Sequence, residues 1–340
     1  MTAQDDFVDE LVASPPSQVL DGHFDRFMFN AHPADATSAG PVLIVGAGLH
    51  PGNETAAGYL LFNDGEVQRN LRFQQLLPAH SAIGPLRWEV VEPHKEWRLI
   101  IAPNEAGIEL DARWKARAPA WVGSMQLSNR SDADTSFEHL FQSGRYSGVM
   151  YVDGVAASID GWYGQRDRSR GVRSLRGGHG IHMWIQAQFP SFCVGAIAVD
   201  DRSGASILID GAVMHESGVR DLVIGVGHDL RFSAGGELLG GTLDIRTESG
   251  ATIEMDAVAL QRGTYMSGGG YGGDAHGHAE SASVYRLSEM ESPAALSTSL
   301  TDKLCSFSTD GSTATGIFEI ALSRSPAYRY RARSALRPGS

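Results

Sequence analysis

Cysteine is nearly absent from this chain, and its scarcity limits what the protein can be. Only Cys193 and Cys305 occur among 340 residues, which is too few for a disulfide framework or a cysteine-based zinc site. Cys193 lies in an apolar run and is predicted to be a buried free thiol. Cysteine usage therefore favours a reducing compartment, which we expect to be the cytoplasm.

Long apolar runs and an excess of positive charge are also lacking. No stretch approaches the roughly 20 apolar residues that a membrane-spanning helix needs, and the acidic start MTAQDDFVDELVASPP does not resemble a signal peptide. The net charge of −12 and the isoelectric point near 5.4 argue against nucleic acids and anionic membranes as partners. We therefore expect a soluble protein.

Glycine, in contrast, is abundant, with 40 residues spread along the chain. Short apolar runs alternate with turn sequences such as Asn63-Asp64-Gly65 and Asp153-Gly154, a pattern typical of β-hairpins and of all-β sandwiches or barrels. Each half of the chain offers about as many runs as an eight-stranded barrel needs. The sequence predicts two antiparallel barrel domains, 1–155 and 156–340, the second carrying at its start the arginine-rich motif described below.

Helical signals are few. Val67 to Leu77 is predicted to form one short helix, and Ser292 to Leu304 another, because Ser292-Pro293 is a typical helix start. The segment 45–52 contains glycines that suggest a dinucleotide fingerprint, but their spacing is wrong and strand-like residues follow. A Rossmann domain is therefore rejected, and no cofactor is predicted.

The strand predicted at 181–189 has one apolar face and one mixed face. The mixed face carries His182, Trp184, Gln186 and Gln188, since side chains alternate along a strand. Such a face could line a ligand cavity. Equally, it could simply meet solvent or the other domain.

The densest chemical feature is the segment 161–180, which contains five arginines in an otherwise acidic protein. Arginine can hold a carboxylate in a fixed bidentate geometry. Asp167 lies among these cations, so we expect it to stay ionised and to orient an arginine or act as a base. The alternative is a structural network of arginines and Asp167 that ties the two domains together.

This motif resembles the pattern G-x-G-x-R-D-H-S-W-G-x-R of a superfamily of paired lipocalin-like domains. The superfamily includes the carotenoid 1,2-hydratases and the AttH-like proteins, and some fungal Diels–Alder cyclases share its fold. Segments 84–117, 137–154 and 182–189 are similar to stretches that recur there. The resemblance implies two lipocalin-like barrels and a pocket for a hydrophobic molecule near the domain junction. It also implies hydration, elimination, cyclisation or a related lyase step without metal or nucleotide.

The chain departs from this pattern at two positions. Arg168 and Arg170 stand where relatives have histidine and tryptophan. If that histidine is the acid–base group in relatives, its role here is lost or has moved. The extra positive charges would suit an anionic or phenolic substrate, or an anionic intermediate.

Candidate proton carriers lie within and around the motif. His139, His179 and His182 are candidates because histidine titrates near neutral pH, although a single histidine is more often structural. Tyr163 could donate a proton or stabilise an oxyanion, and Asp167 could act as a base. The predicted substrate-binding residues are Arg166, Arg168, Arg170, Arg173, Trp184 and Glu138.

The glycine-rich run 267–280 contains His276 and His278 with Asp274 and Glu280 nearby. These residues could be drawn as a metal site, but metal ligands must be held rigidly. A flexible lid over a barrel mouth is the favoured interpretation, and no metal is predicted.

Two functional hypotheses follow. The first is a cofactor-independent acid–base enzyme, a lyase, hydratase or cyclase, acting on a hydrophobic oxygenated molecule of phenolic, other aromatic or terpenoid type; a retro-aldol cleavage is included. The second is a non-catalytic lipocalin-like carrier of a hydrophobic ligand. A weaker alternative is an accessory protein whose domain junction docks a partner. The oligomeric state is left open, with a homodimer as one arrangement.

Overall fold

A computed structural model describes residues 7, 9, 11, 22–35, 37, 39–77, 80–127, 135–172, 179–261, 263–266, 280–289 and 300–334. Within these residues β-strand is by far the main secondary structure, so the predicted all-β class is confirmed. Short 3-10 helices are found at Pro51–Asn53 and Leu287–Glu289. No helix among the described residues is long and apolar enough to cross a membrane.

The strands follow one another closely along the chain. They are β1 (His23–Ala31), β2 (Val42–His50), β3 (Thr55–Asn63), β4 (Val67–Leu76), β5 (Ala82–Ile83), β6 (Leu86–Glu92), β7 (Glu96–Ile101), β8 (Ile108–Ala116), β9 (Trp121–Leu127), β10 (Thr135–Val152), β11 (Val155–Ser158), β12 (Tyr163–Val172), β13 (His179–Gln188), β14 (Phe192–Asp201), β15 (Ser206–His215), β16 (Arg220–Phe232), β17 (Leu238–Thr247), β18 (Thr252–Ala259), β19 (Thr264–Tyr265), β20 (Glu280–Arg286), β21 (Thr301–Thr309) and β22 (Ser312–Leu322). The turns predicted at Asn63-Asp64-Gly65 and Asp153-Gly154 separate β3 from β4 and β10 from β11, as expected.

These strands form two antiparallel units. The first is a 13-stranded sheet in which hydrogen bonds connect β20-β4-β3-β2-β1-β12-β10-β8-β7-β6-β5, with β9 and β11 also paired to β10. The second runs β18-β17-β16-β15-β14-β13-β22-β21, and a further pairing of β18 with β21 closes these eight strands into a barrel. Closure leaves no free edge in the barrel.

Each unit has its own core. The first sheet encloses a cluster rich in large aromatic residues, among them Phe27, Trp97 and Trp114. The barrel interior is filled by side chains such as Met183, Phe307 and Phe318. A third apolar cluster lies where the first sheet packs on the outer face of the barrel, and this contact region is here called the junction.

The assignment of strands to units differs from the expected division at 155/156. Hydrogen bonding places β12, which carries the arginine-rich motif, in the first sheet between β1 and β10 rather than at the start of the barrel. The late strand β20 also joins the first sheet, beside β4. β12 returns to the first sheet because the hairpin turn at Asp153-Gly154 reverses the chain, so that β11 and then β12 run back along the 18-residue strand β10. The residue boundary itself stays a prediction.

The predicted helix at 67–77 is wrong, because Val67–Leu76 is the strand β4. Leu71 and Phe73 alternate into the first core, while Gln68 and Asn70 on the other face are buried and hydrogen-bonded. The second predicted helix is wrong at its end, since residues 301–304 lie in β21. Residues 292–299 lie outside the described residues.

The cysteine prediction is confirmed. Cys193 is a buried free thiol on β14, and Cys305 is likewise buried and free on β21. Burial raises the pKa of the Cys193 thiol to about 11, so it stays protonated and unreactive at neutral pH.

Candidate functional site

The alternation of side chains along β12 divides the arginine-rich motif between two faces of the first sheet. Asp167 faces the junction, whereas Arg166 and Arg168 face the opposite way, since neighbouring residues of a strand point to opposite faces. On the adjacent strand β10, the same alternation turns His139 towards the junction. His139 Nε2 lies 3.0 Å from Asp167 Oδ1, so the structure brings together two of the predicted catalytic residues.

The His139–Asp167 pair is held rigidly in an apolar setting. His139 is 2% exposed and Asp167 is 3% exposed. The imidazole packs against Phe137 and Phe141 of its own strand and against Trp184 of the barrel, with a ring-centroid distance of 5.6 Å to Trp184. Such packing fixes the orientation of the imidazole, as a proton-transferring group requires.

The other imidazole nitrogen faces a second carboxylate. His139 Nδ1 lies 4.0 Å from Oδ2 of Asp210 on β15 of the barrel, which is too long for a direct hydrogen bond. Neither of these two buried atoms has a hydrogen-bond partner in the described part of the chain. Both are therefore available to a polar group of a bound molecule.

Asp210 is positioned by β9 of the first sheet. Trp121 Nε1 donates a hydrogen bond of 3.2 Å to Asp210 Oδ1. The carboxylate fits against the backbone of β9 only because residue 123 is glycine; a Cβ there would lie 2.7 Å from both carboxylate oxygens. Burial raises the pKa of Asp210, and the neighbouring His139 and the Trp121 hydrogen bond offset part of that rise.

This arrangement can move a proton. If the Nε2–H of His139 donates a hydrogen bond to Asp167, the lone pair of Nδ1 remains free to act as a base. Asp167 would then stabilise the imidazolium that forms. Asp210, whose raised pKa favours the protonated carboxyl, can serve as the acid.

The arginines of the motif lie elsewhere. Arg166 is fully buried, donates to Asp9 at 2.9 Å and to Gln142 at 3.0 Å, and lies over the rings of Trp97 and Trp114. All of these contacts are within the first sheet and its N-terminal segment. The contacts of Arg166 seen here are thus with the protein itself, and its role in binding substrate stays a prediction.

Arg168 and Arg170 also bind the protein itself. Arg168 pairs with Asp25 at 2.9 Å and donates to the Phe7 carbonyl at 3.0 Å, while Arg170 pairs with Glu138 at 3.0 Å. Burial lowers the pKa of Arg168, and Asp25 opposes this effect. These residues pin the N-terminal segment to the first sheet, on the side away from His139. The predicted ligand Arg173 lies outside the described residues.

Two further predicted catalytic residues are remote from the pair. Tyr163 is buried between the guanidinium groups of Arg117 and Arg145, which lie 4.9 and 5.1 Å from its ring centre. His179 begins β13, five residues before Trp184, so it lies about 16 Å along the strand from that residue. Burial lowers the pKa of His179 to about 4, which leaves it neutral at physiological pH.

The mixed face of β13 meets the first sheet, as one of the two interpretations predicted. Gln186 accepts a hydrogen bond of 2.6 Å from Asn30, and Gln188 accepts one from Ser143. Trp184, predicted to bind substrate, is the part of this face that contacts His139. This part of the face is the one that adjoins the His139–Asp167 pair.

His182, the last predicted catalytic residue, lies on the same face. Its Nε2 is 2.8 Å from Oε1 of Glu319 on β22, and Asp302 of β21 lies opposite Glu319 in the strand register. Glu319, Asp302 and Asp210 were not predicted from the sequence. The available signal was a lone acidic residue on the otherwise apolar face of a strand, as in the runs SILIDGAVMH and GIFEIAL.

No group of three or more metal-ligating side chains suited to hold a metal ion is found in the described ranges. The residues His276 and His278, considered above as metal ligands, lie outside those ranges, as does most of the glycine-rich run predicted to form a lid. The side chains that meet around His139 thus offer imidazole, carboxyl and indole groups.

Comparison with known proteins agrees with the fold. A model of a family described as "Family of unknown function (DUF8625)" matches residues 12–320. No curated protein matches the chain by sequence.

Three solved structures resemble the whole chain. A protein described as AttH, from Nitrosomonas europaea, is 13% identical with a TM-score of 0.59, over 88% of this chain and 93% of its own. Kievitone hydratase from Nectria haematococca is 12% identical with a TM-score of 0.54, over 88% and 89%. CghA in complex with Sch210972 is 8% identical with a TM-score of 0.54, over 94% and 97%. The expected resemblance to paired lipocalin-like domains is confirmed at the level of fold.

Proposed function

Since the chain belongs to DUF8625, a family of unknown function, we infer its activity from the junction site and propose an acid–base enzyme without a resident cofactor. Its reaction would be a hydration, an elimination, a cyclisation or a retro-aldol cleavage. Its substrate would be a hydrophobic oxygenated molecule of phenolic or terpenoid type. The observation that carries the proposal is the buried His139 held by Asp167, with its second nitrogen facing Asp210.

In an elimination, His139 Nδ1 would remove a proton from the carbon beside the leaving group, and a C=C bond would form as the C–O bond breaks. Asp210, as the protonated acid, would give its proton to the departing oxygen, so that water leaves. The proton on His139 then returns to Asp210 through solvent, which closes the cycle. Hydration is the same sequence reversed, and Asp167 stabilises the imidazolium in both directions.

The surroundings of the pair suit an apolar substrate. Trp184, Phe137 and Phe141 surround the imidazole, and aromatic walls with few polar groups are typical of small-molecule sites. The interiors of both units are apolar clusters, whereas His139, Asp167 and Asp210 lie at the junction, which favours the junction as the place of binding. One structure of the same fold is by name a hydratase, a reaction class that such a pair could perform.

The test uses the full chain purified without added cofactor. Phenolic, terpenoid and polyketide compounds are screened by thermal shift, and each stabilising compound is incubated with the protein and analysed by mass spectrometry. We expect at least one compound to be converted. We expect His139→Asn and Asp167→Asn each to lower kcat by about 10²- to 10⁴-fold, the usual contribution of a general base, while the compound still stabilises the fold.

His179→Asn is the matched control, because His179 begins β13 of the barrel, away from the pair. It is expected to keep wild-type turnover. A compound that stabilises the protein but always returns unchanged would instead show a carrier. Conversion that survives both His139→Asn and Asp167→Asn would place the chemistry at another site.

A further inference from the structure

Five residues form a line across the outer face of the barrel. Direct strand partners connect Asp210 on β15 to Ile197 on β14, Ile197 to Trp184 on β13, Trp184 to Glu319 on β22, and Glu319 to Asp302 on β21. Direct partners in an antiparallel sheet point to the same face. This line, here called the junction row, therefore faces the first sheet along its length.

The two ends of the junction row are polar and its middle is apolar. His139 contacts both Asp210 and Trp184, so it lies over the Ile197 position at one end. Glu319 and Asp302 stand at the other end, where they are 6% and 1% exposed. Burial, together with the charge and hydrogen bond of Glu319, raises the pKa of Asp302 well above its ordinary range.

Burying two carboxyl groups destabilises a folded protein unless hydrogen bonds or ion pairs offset the loss of their hydration. One such interaction is the contact of His182 Nε2 with Glu319 Oε1 at 2.8 Å. Trp184 supplies an independent indication that a ligand binds here. It is 4% exposed, its indole Nε1 has no hydrogen-bond partner among the described residues, and it stands directly beside Glu319 in the row.

The spacing of the row sets the length of a molecule that would fit. Neighbouring strands lie about 4.8 Å apart, so the Ile197 and Glu319 positions are separated by about 10 Å. That distance is about the length of two linked aromatic rings. A flat molecule lying along the row would cover Trp184 and reach a polar group at each end.

We propose that Glu319, backed by Asp302, is a second polar end of the junction site that binds the far hydroxyl of an elongated, flat, apolar substrate. The reacting end of that substrate lies at His139. This inference rests on the proposed function for the position of the reacting end. It adds a specificity-determining residue and a substrate class, namely two-ring or longer conjugated molecules with an oxygen at both ends.

The test compares ligands that differ only at the far end. The probes are 4,4′-biphenol, whose two oxygens are about 10 Å apart, close to two strand spacings, and 4-phenylphenol, which lacks one hydroxyl. We expect the wild-type protein to bind 4,4′-biphenol about tenfold more tightly by calorimetry, the effect of one hydrogen bond to a charged group. Glu319→Met should abolish this preference by weakening only the binding of 4,4′-biphenol.

Glu319→Gln keeps the shape of the side chain and serves if the methionine variant does not fold. It should reduce the preference, since an amide is a weaker acceptor than a carboxylate. Glu254→Gln, at an exposed position of β18, is the matched control and should keep the full tenfold preference. Equal affinity of the wild-type protein for both probes, or no binding of either, overturns the proposal.

The two proposals can fail separately. If 4,4′-biphenol is preferred through Glu319 but no compound is ever converted, the enzyme proposal fails and the binding subsite stands. If a compound is converted in a His139-dependent way while Glu319→Met leaves the ligand preference unchanged, the subsite proposal fails alone.

Discussion

His139 owes its position to the alternation of a single strand. On β10 the residues Phe137, His139 and Phe141 face the junction, while Glu138 and Gln142 face the other way and bind Arg170 and Arg166. A shift of one residue in the register of β10 against β12 would exchange the two sets. In the observed register His139 pairs with Ser169, which is two residues after Asp167. This register therefore places His139 and Asp167 on the same face of the sheet.

The raised pKa of Asp302 predicts how the stability of the protein depends on pH. Its folded-state pKa is raised from the ordinary value of 3.8, so the folded state binds the proton more tightly than the unfolded state. The stability from this residue is complete below pH 3.8 and is lost as the pH rises through the raised pKa. We expect the free energy of unfolding to fall over that range.

Asp302→Asn should flatten this dependence, since the amide cannot ionise. The measurement is urea unfolding at a series of pH values for the variant and the wild-type protein. The exposed carboxylate Asp256, on β18, offers a control, and Asp256→Asn should retain the wild-type slope. An identical slope for Asp302→Asn would show that Asp302 is ionised in the folded protein throughout.

At the residue scale, the sequence identified candidate residues for the site but not which of them lie together. His139, Asp167 and Trp184 were all candidates from residue type and motif, and they do meet. The arginines were expected to lie with them. Residues that are neighbours in sequence point to opposite faces of a strand, and this separation is seen only once the segment is known to be a strand. Asp210 comes from β15, whose contact with β9 across the junction has no counterpart in local sequence.

At the element scale, β14 lies close to the first sheet at a glycine. A Cβ at Gly195 would lie 2.0 Å from Cε2 of Phe141 on β10, a clash that requires the ring to move. We expect Gly195→Ala to destabilise the protein by about 1–3 kcal/mol, as for other overpacked cores. Because Phe141 packs on His139, turnover should fall as well.

A double-mutant cycle with Phe141→Leu tests this contact. The smaller side chain should relieve the clash, so Gly195→Ala should cost less in that background than in the wild-type protein. Thermal unfolding measures the four free energies. Strictly additive effects would mean that the strain lies away from Phe141.

Elements were predictable where a pattern is local. The hairpins at 63–65 and 153–154 were found from turn residues alone, and the short alternating runs became strands. The segment 67–76 was misassigned because Gln68 and Asn70 look like the polar face of a surface helix. In the structure these amides are buried against β19, where Gln68 binds the backbone of Tyr265, a contact nearly 200 residues distant in sequence.

For the whole molecule, the exchange of strands between halves predicts how fragments behave. A fragment of residues 1–155 lacks β12 and β20, both of which are paired in the first sheet. Loss of β12 exposes the edges of β1 and β10 and removes the arginine partners of Asp9 and Asp25. We therefore expect this fragment to lack cooperative unfolding.

Circular dichroism during urea unfolding checks this expectation. A fragment of residues 1–172 regains β12 and is the comparison; it should show more cooperative unfolding than 1–155. Cooperative folding of 1–155 by itself would establish the boundary predicted from the sequence as a true domain limit.

At this scale, the sequence predicted the class and the presence of two units, because strand count and glycine-rich turns depend on composition. The sequence did not predict to which of the two units each strand belongs. β20 follows the barrel strand β18 and the short β19 along the chain, yet pairs with β4, and only the tertiary structure decides such a pairing.

The return of β20 to the first sheet also bears on what a cut in the backbone would do. A break between β12 and β13 separates the polypeptide into two pieces, but the C-terminal piece still supplies β20 to the sheet built by the N-terminal piece. The two pieces would stay associated through the main-chain hydrogen bonds between β20 and β4 and through the packing at the junction. The molecule is thus suited to reconstitution from two separately produced halves, with recovery of the proposed His139-dependent conversion as a sign that the halves have associated.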